Sequence, residues 1–351
     1  MAPESRRTRP HVVLAADPVD LVSSLFPGDV RRRLDAVADV WDGVVTDWGS
    51  APARAALATA DVVIAGWGAP RLGEAELAAA PRLRAVLHGG GSAYAVVDER
   101  LATERGLLLS DAGTANAEPV AEFTLAAILM AGKDAFRAER LYRERQTFVD
   151  RQLELGDAGN YARTVGVVGA SRTGRRVIEM LRPFAFDVLV SDPTISAEQA
   201  RGLGAELVDL DELVRRSEIL TLHVPVTEST ISLLGAAEIA AMPQGATLIN
   251  TSRGVVVDQD ALVEAVAAGR VQAVLDVTEP DPLPAGHPLY SLPGVFLTPH
   301  VAGAVGREIA RLGDLVVDEL ERLVAGQPLR HAPVPERAVP ERTATTTGPT
   351  L

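Results

Sequence analysis

The chain carries the sequence TVGVVGASRTG at Thr164–Gly174, and this segment determines the class of fold. Its first part, Val165–Val168, is apolar and rich in valine, which is typical of a strand buried on both faces of a sheet. Gly169 and Gly174 bracket a tight turn, and the apolar residues after the turn have helical spacing. Asp192 ends the next predicted strand, roughly 20 residues further on. A strand, a glycine turn, a helix and a spaced acid form the fingerprint of a dinucleotide-binding unit.

The turn departs from the usual G-x-G-x-x-G pattern at one position, where Ser171 replaces the middle glycine. That glycine normally lets the backbone approach a pyrophosphate closely, so the serine Cβ takes up room while its hydroxyl offers a donor to a phosphate oxygen. An ordinary strand-to-helix turn is the alternative interpretation, and the spaced acid argues against it. The residues predicted to hold the pyrophosphate are Gly169, Ser171, Arg172, Thr173 and Gly174.

Asp192 predicts which dinucleotide binds. A carboxylate at the end of the second strand of such a unit accepts hydrogen bonds from the ribose hydroxyls and repels a 2′-phosphate. Pro193 and Thr194 follow it, so no arginine stands next to it to neutralise a phosphate. The sequence therefore predicts NAD rather than NADP as the cofactor.

Composition limits the other possibilities. A length of 351 residues predicts two domains, and 47% hydrophobic with 23% charged residues is ordinary for a globular protein. The net charge of -13 argues against nucleic acid or an anionic membrane as the partner. The chain has no cysteine, and its six histidines lack metal-ligand spacing, so no metal site is expected. Without a signal segment or a long apolar span, a cytoplasmic location is expected.

Apolar runs alternate with helical patterns, which is typical of parallel sheets with helices on both faces. The predicted strands are 11–16, 43–45, 61–65, 85–88, 107–110, 164–168, 187–191, 205–208, 218–223, 246–250, 271–275 and 295–298. Three of the predicted helices are 27–40, a single long helix over 116–143 capped by Asn116, and a final helix over 303–323. Residues 331–351 are poor in apolar side chains and are predicted to be disordered.

Four polar motifs follow predicted strands, at the sheet edge where open α/β proteins bind ligands. The glycine-rich segment His88–Ser92 can form an anion site with its amides, or can be a flexible turn. His223–Thr227 either lies against a cofactor or ends its strand. Arg253 can grip a carboxylate with its planar guanidinium, although a solvated arginine is the common alternative. His300 suits proton transfer near neutral pH, and Asp276–Pro282 offers three carboxylates to orient it.

Together these motifs resemble the D-isomer-specific 2-hydroxyacid dehydrogenase family. The matching segments are TVGVVGASRTG, VSDP, HVP, INTSRG, DVTEPDPLPAGHPL and LTPH, with NAEPVAEFTLA at 116–126 and the glycines at 89–91. The resemblance implies an α/β protein with two doubly wound parallel-sheet (Rossmann-like) domains. An NAD-binding domain at 113–300 would be inserted into a flavodoxin-like substrate domain made of 1–112 and 301–330.

The resemblance also implies roles for single residues. Arg253 would bind the substrate carboxylate and carbonyl, and His300 would exchange the hydroxyl proton. The acid that orients the histidine is usually a glutamate five residues after an aspartate; counted from Asp276, that position holds Asp281. Glu279 stands two positions earlier, so either acid is a candidate, and the register favours Asp281. The residues expected at the substrate are His88, Gly90, Gly91 and Ser92. The further residues expected at the cofactor are His223, Val224, Pro225, Thr227, Thr251, Ser252, Asp276 and Gly303.

The leading hypothesis is an NAD-dependent oxidoreductase that interconverts a small D-2-hydroxy acid and its 2-keto acid. The resemblance implies a homodimer, with residues 116–160 as the contact region. Two alternatives stay open at this point. One is a non-catalytic NAD(H)-sensing protein of the same fold, and the other is a sister dehydrogenase acting on formate, phosphite or phosphoglycerate. The sequence does not single out one hydroxy acid or the physiological direction.

Overall fold

A computed structural model describes residues 9–333 of the chain. These residues form two compact units. The first, here called the split unit, contains residues 9–119 and 303–333. The second, the inserted unit, contains residues 120–302. The predicted disordered segment lies, from residue 334 onward, outside the described residues.

The split unit is built on a five-stranded parallel sheet in the order β2-β1-β3-β4-β5. This is the flavodoxin-like strand order. The strands are β1 (His11–Ala15), β2 (Asp39–Val45), β3 (Val62–Ala65), β4 (Ala85–His88) and β5 (Leu108–Asp111). The helices are α1 (Leu21–Leu25), α2 (Gly28–Val37), α3 (Ala51–Thr59), α4 (Glu74–Ala79), α5 (Glu99–Glu104) and α14 (Ile309–Val324), and α6 (Gly113–Gly132) begins here.

The inserted unit is built on a seven-stranded parallel sheet in the order β12-β11-β10-β9-β6-β7-β8. The order in which strands are added reverses between β6 and β9, as in the usual dinucleotide-binding fold. The strands are β6 (Thr164–Val168), β7 (Asp187–Ser191), β8 (Glu206–Leu207), β9 (Ile219–Leu222), β10 (Thr247–Asn250), β11 (Gln272–Leu275) and β12 (Val295–Leu297). The helices after α6 are α7 (Ala135–Arg145), α8 (Arg151–Glu154), α9 (Arg172–Leu181), α10 (Ala197–Leu203), α11 (Leu210–Arg216), α12 (Ala236–Ala241) and α13 (Gln259–Ala267).

Each sheet is covered on both faces, which explains why its central strands are continuous apolar runs. In the split unit, every residue of β3 and β4 is buried. One face packs under α3 and α4, and the other packs under α2 and α14. The prediction of two doubly wound parallel-sheet domains is confirmed.

The helix predicted over 27–40 is too long. The structure ends α2 at Val37, and residues from Asp39 onward form the edge strand β2. Asp39 and Val40 pair with His11 and Val12 of β1. The apolar spacing up to Val40 is helical, but the free edge of β1 offers backbone hydrogen bonds that a local pattern does not reveal.

The single helix predicted over 116–143 is two helices, and Asn116 is not its cap. Helix α6 begins at Gly113, whose N–H donates to Asp111 Oδ1 at 3.0 Å. The helical pattern then breaks at Asp134, which adopts a left-handed backbone with φ 50°. Arg137 and Gln272 both donate to the Asp134 carboxylate and hold it there. The Asn116 side chain instead accepts a hydrogen bond from the N–H of Ala304.

Candidate active site

In the turn after β6, neither Gly169 nor Gly174 has room for a side chain. Gly169 has φ +93°, and a Cβ built on it would lie 2.7 Å from the carbonyl oxygen of His223. A Cβ on Gly174 would lie 2.0 Å from the carbonyl oxygen of Gly169. Both positions therefore require glycine, which keeps the turn tight and its amides at the start of α9.

Ser171 is the N-cap of α9. Its Oγ accepts a hydrogen bond from the N–H of Gly174 at 3.3 Å, and Arg172 and Thr173 form the first turn of the helix. A ten-residue helix provides at its N-terminus a partial positive charge suited to a phosphate. The serine hydroxyl still has its own proton to donate, so the residue at the middle position of the fingerprint fits a pyrophosphate.

Asp192 lies beside this turn. Its Oδ2 accepts from the N–H of Ala170 at 2.6 Å, and its Oδ1 accepts from the backbone N–H and the hydroxyl of Thr194. The carboxylate is thus fixed next to the residue that follows Gly169. This is the place at which a ribose would follow a pyrophosphate bound at the turn. The glycines, the cap and the acid together fit a dinucleotide without a 2′-phosphate.

His223 is buried beneath the same turn. Its backbone N–H donates to Val168 at 2.8 Å, and its Nε2 is 3.0 Å from the hydroxyl of Thr221. Burial lowers the pKa of His223 to about 3, so the ring is neutral at physiological pH. The segment after it is held by Thr230, whose hydroxyl donates to the carbonyl of Pro225 and accepts from the N–H of Thr227. With Val224, these residues stay predicted cofactor contacts.

The segment that carries Arg253 is organised by Asn250 at the end of β10. Asn250 Oδ1 accepts from the N–H and hydroxyl of Ser252, and its amide donates to the carbonyl of Arg253 at 2.9 Å. A Cβ on Gly254 would lie 2.1 Å from the carbonyl carbon of Thr278. The arginine segment is therefore packed against the segment that carries the acids. Arg253 is exposed, with Nη1 donating to the carbonyl of Ser252.

Thr251, beside this segment, is buried and shares a hydrogen bond of 3.0 Å with Thr124. Both hydroxyls belong to the inserted unit. Thr251 and Ser252 are thus held in place by protein partners, and their predicted contact with a cofactor stays a prediction.

Asp276 fixes the segment that carries His300. The carboxylate is buried, and it accepts from the hydroxyl of Thr298 at 2.6 Å and from the N–H groups of Val301 and Ala302 at 2.8 Å. The N–H of His300 donates to the carbonyl of Asp276. The predicted contact of Asp276 with the cofactor stays a prediction. In this structure its carboxylate binds donors that flank the histidine.

His300 is hydrogen bonded to Asp281, with 2.9 Å between Nδ1 and Oδ2. A carboxylate only accepts, so Nδ1 carries the proton and Nε2 is left as the basic nitrogen. The histidine side chain is 54% exposed, and its backbone is left-handed with φ 55°. The Gln259 side-chain amide donates to the carbonyl of Glu279 and accepts from its N–H. The Glu279 carboxylate has no hydrogen bond within residues 9–333. Of the two candidate acids, the structure pairs Asp281 with the histidine.

The remaining predicted residues belong to the split unit. His88 ends β4, Gly90 and Gly91 follow it, and Ser92 caps a short 3-10 turn by accepting from the N–H of Tyr94. A Cβ on Gly91 would meet nothing within 4 Å. Gly303 stands next to Asn116, whose Oδ1 would be 3.3 Å from an added Cβ. The roles of these residues at substrate and cofactor stay predictions.

Sequence reasoning missed several residues that position the site. Asn250, Thr298 and Gln259 each hold a functional segment by hydrogen bonds. The role of Asn250 could have been predicted, because an asparagine at a strand end often accepts a hydrogen bond from the backbone N–H two residues later. The roles of Thr298 and Gln259 could not, since their partners are distant in the chain.

Comparison with known proteins supplies the family. Residues 125–302 match the model of the D-isomer specific 2-hydroxyacid dehydrogenase, NAD binding domain. The chain is 35% identical to a glyoxylate reductase of Korarchaeum cryptofilum, over 71% of this chain and 75% of that protein. It is 32% identical to a D-3-phosphoglycerate dehydrogenase of Archaeoglobus fulgidus, over 74% of this chain and 49% of that protein. The chain thus spans about half the length of that dehydrogenase.

Similarity to solved structures agrees with this family. A D-lactate dehydrogenase of Aquifex aeolicus, complexed with NAD and lactic acid, matches 90% of this chain and 96% of its own with a TM-score of 0.70 and 25% identity. No helix within residues 9–333 is both long and apolar enough to cross a membrane. The glycine turn and Asp192 lie inside the matched region, so the inserted unit is an NAD-binding domain. The chain belongs to the D-isomer specific 2-hydroxyacid dehydrogenase family.

Proposed function

We propose that this protein interconverts a D-2-hydroxy acid and its 2-keto acid with NAD, using His300 as the acid and base. The observation that carries the proposal is the hydrogen bond between His300 and Asp281, beside the segment of Arg253. A histidine oriented by a carboxylate, with its other nitrogen free, is the usual arrangement for moving one proton.

The tautomer of His300 determines which of its nitrogens exchanges the substrate proton. Asp281 accepts from Nδ1, so Nε2 receives the hydroxyl proton when the hydroxy acid is oxidised and returns it when the keto acid is reduced. When bound, NAD supplies the acceptor for the hydride from the substrate carbon, and NADH supplies its donor. The Asp281 carboxylate stabilises the imidazolium formed in the oxidative direction without taking the proton.

Arg253 is proposed to bind the substrate carboxylate. It is exposed on a segment that Asn250 and Gly254 hold rigidly, and its guanidinium has donors beyond the one used on Ser252. The net charge of -13 makes such a local cation necessary for an anionic substrate. The amides of Gly90–Ser92 are proposed to add to this site.

The test is NADH oxidation with a panel of glyoxylate, hydroxypyruvate, pyruvate, 2-ketobutyrate and phenylpyruvate, with NADPH in parallel. We expect turnover with at least one keto acid and with NADH preferred. His300→Ala should lower kcat about a hundredfold or more while NADH binding, followed by fluorescence titration, stays near normal. NADH binding without turnover of any keto acid would reject the proposal and favour an NAD(H)-sensing role or a sister substrate such as formate, phosphite or phosphoglycerate.

The protein is further proposed to be a homodimer that associates through residues 135–161 of the inserted unit. Helix α7 buries none of its residues in its own unit. Four large apolar side chains in this region are exposed: Tyr142, Phe148, Leu153 and Tyr161. Exposed apolar patches mark interaction sites, and these four side chains on one segment support an interface there. Light scattering of the protein and of Phe148→Ser with Leu153→Ser should show a dimer that the substitutions dissociate; a monomeric wild type would reject the proposal.

A further inference from the structure

Two ring nitrogens converge at Gly90 in the split unit. Trp67 follows β3, His88 ends β4, and Gly90 is two residues further on. The point that a Cβ on Gly90 would occupy is 2.5 Å from His88 Nε2 and 2.9 Å from Trp67 Nε1. Because both nitrogens lie this close to one point, the distance between them is at most the sum of the two values. Since a hydroxyl oxygen lies about 2.7–3.0 Å from each of its partners, one hydroxyl can reach both.

The two nitrogens have opposite hydrogen-bonding roles. His88 Nδ1 is 3.0 Å from the carbonyl oxygen of Ala65, which can only accept, so Nδ1 carries the proton and Nε2 is an acceptor. Burial lowers the pKa of His88, although the hydrogen bond to Ala65 and the nearby Asp111 oppose the shift, so the ring is neutral at physiological pH. Trp67 Nε1 can only donate. The pair therefore presents one acceptor and one donor.

Both nitrogens are available to a ligand. Among the buried side-chain nitrogen and oxygen atoms of residues 9–333, only Asn160 Oδ1 lacks a hydrogen-bond partner. Trp67 Nε1 and His88 Nε2 have no hydrogen bond in the same part of the chain, so each is open to solvent. A site with a donor and an acceptor that the protein itself leaves unused is suited to a polar group of a ligand.

The two rings are held in place by the fold. The N–H of Asp17 donates to the carbonyl of Trp67 at 3.1 Å. Gly68 then turns with φ +68°, and a Cβ there would be 2.1 Å from the carbonyl oxygen of Asp17. The Trp67 ring packs on the core of the split unit. His88 lies between β3 and β5, paired with Ala65 and Asp111. Such fixed groups discriminate between ligands better than mobile ones.

We propose that Trp67 and His88 bind a hydroxyl group on C3 of the substrate, so that the preferred substrates are 3-hydroxy-2-keto acids and the corresponding dihydroxy acids. This inference rests on the proposed function, in which the amides of Gly90–Ser92 bind the same molecule. A hydroxyl both donates and accepts, and so satisfies the pair. A phosphate ester would place acceptor oxygens against the lone pair of His88 Nε2, and an alkyl group would leave both nitrogens unpaired.

The experiment compares hydroxypyruvate with pyruvate, which differ by the C3 hydroxyl alone. Wild type should show a kcat/KM for hydroxypyruvate at least about tenfold above that for pyruvate. Trp67→Phe keeps the ring and removes only the N–H, and should lower this ratio about tenfold. Gly90→Ala places a methyl group between the two nitrogens and should lower it further. Trp41→Phe, in β2, is the matched control and should leave the ratio unchanged.

The outcomes separate the two proposals. Equal use of hydroxypyruvate and pyruvate by wild type, or an equal loss for both substrates in Trp67→Phe, overturns the hydroxyl site while the dehydrogenase proposal stands. Oxidation of D-3-phosphoglycerate with NAD faster than that of D-glycerate also overturns it. If wild type uses no keto acid at all, the proposed function fails, and the hydroxyl site fails with it.

Discussion

His300 shows how one residue is set up by its neighbours. Its left-handed backbone, at φ 55°, is uncommon for a side chain other than glycine. Asp276 compensates for this by binding the N–H groups of Val301 and Ala302 directly after it. Asp281 then fixes the ring from the side. Backbone and ring are therefore fixed by different carboxylates, and the consequences of removing each are separable.

The first prediction concerns the two acids. Asp281→Asn should lower kcat about tenfold to a hundredfold, because an amide can donate to Nδ1 and so favour the wrong tautomer of His300. Glu279→Gln should stay within about twofold of wild type, since the Glu279 carboxylate has no hydrogen bond within residues 9–333. Steady-state kinetics of the two variants measure the effect. A greater loss of kcat in Glu279→Gln would contradict the assignment of Asp281 as the partner of His300.

The second prediction concerns the choice of cofactor. Asp192→Ala should weaken NADH binding and reduce the preference for NADH over NADPH about tenfold, because the charge that repels a 2′-phosphate is removed. Asp192→Asn is the control, since it removes the charge but keeps an acceptor for the N–H of Ala170. The KM values for both cofactors measure the effect. An unchanged NADPH discrimination in both variants would remove Asp192 from the ribose site.

At the residue scale, sequence register was enough to favour Asp281 over Glu279. It could not reveal that Ser171 caps α9, that Asn250 bonds Ser252 and the carbonyl of Arg253, or that the backbone of His300 is left-handed. These properties depend on where a side chain points after folding, and residue type and spacing do not encode this.

Among the elements, the segments that follow β10 and β11 act as one structure. Gly254 packs on the backbone of Thr278, so the arginine and the acids cannot move independently. Gly254→Ala should lower kcat/KM at least tenfold, because its Cβ would displace the Arg253 segment. Kinetics combined with urea denaturation measure this.

The matched control for that substitution is Gly202→Ala in α10, where a Cβ would meet nothing within 4 Å. It should leave the kinetics unchanged and raise the free energy of unfolding by about 0.5–1 kcal/mol, since alanine is the better helix former. Ordinary kinetics in Gly254→Ala would show that the contact with Thr278 does not position Arg253.

Elements could be predicted where the local pattern and the tertiary structure agree. Strands β6 and β7 are found at 164–168 and 187–191, the predicted limits, because they are buried apolar runs between clear turns. The prediction failed at the first residues of β2, which pair with β1, and at Asp134, whose carboxylate is bound by Gln272 in β11. In both cases a distant partner overrides helical spacing.

Across residues 9–333, each unit has one buried neutral histidine, His88 or His223, and burial lowers the pKa of both. In the unfolded chain a histidine titrates near pH 6.5. Below that pH the unfolded state binds protons that the folded state does not. The free energy of unfolding should therefore be constant above about pH 6.5 and fall as the pH drops below it, and for His223 the fall should continue toward pH 3 at up to about 1.4 kcal/mol per pH unit.

The measurement is urea denaturation at pH 7.5, 6.5 and 5.0. All three tryptophans, at 41, 48 and 67, belong to the split unit, so their fluorescence follows that unit and circular dichroism adds the other. His223→Gln should flatten the pH dependence of the circular dichroism transition, whereas the exposed His11→Gln should not. A dependence that is identical in wild type and His223→Gln would contradict the prediction.

The division of the split unit has a consequence for the order of folding during synthesis. Helix α14 is part of its core, and it crosses so close to α1 that a Cβ on Gly313 would lie 1.7 Å from the carbonyl oxygen of Leu25. At 5–20 residues per second, the ribosome needs about ten to forty seconds to make the chain between residue 119 and α14. Residues 9–119 therefore leave the exit tunnel with one face of their sheet covered by α2 but not yet by α14. The inserted unit, made of one continuous stretch, can finish folding first although it is translated second.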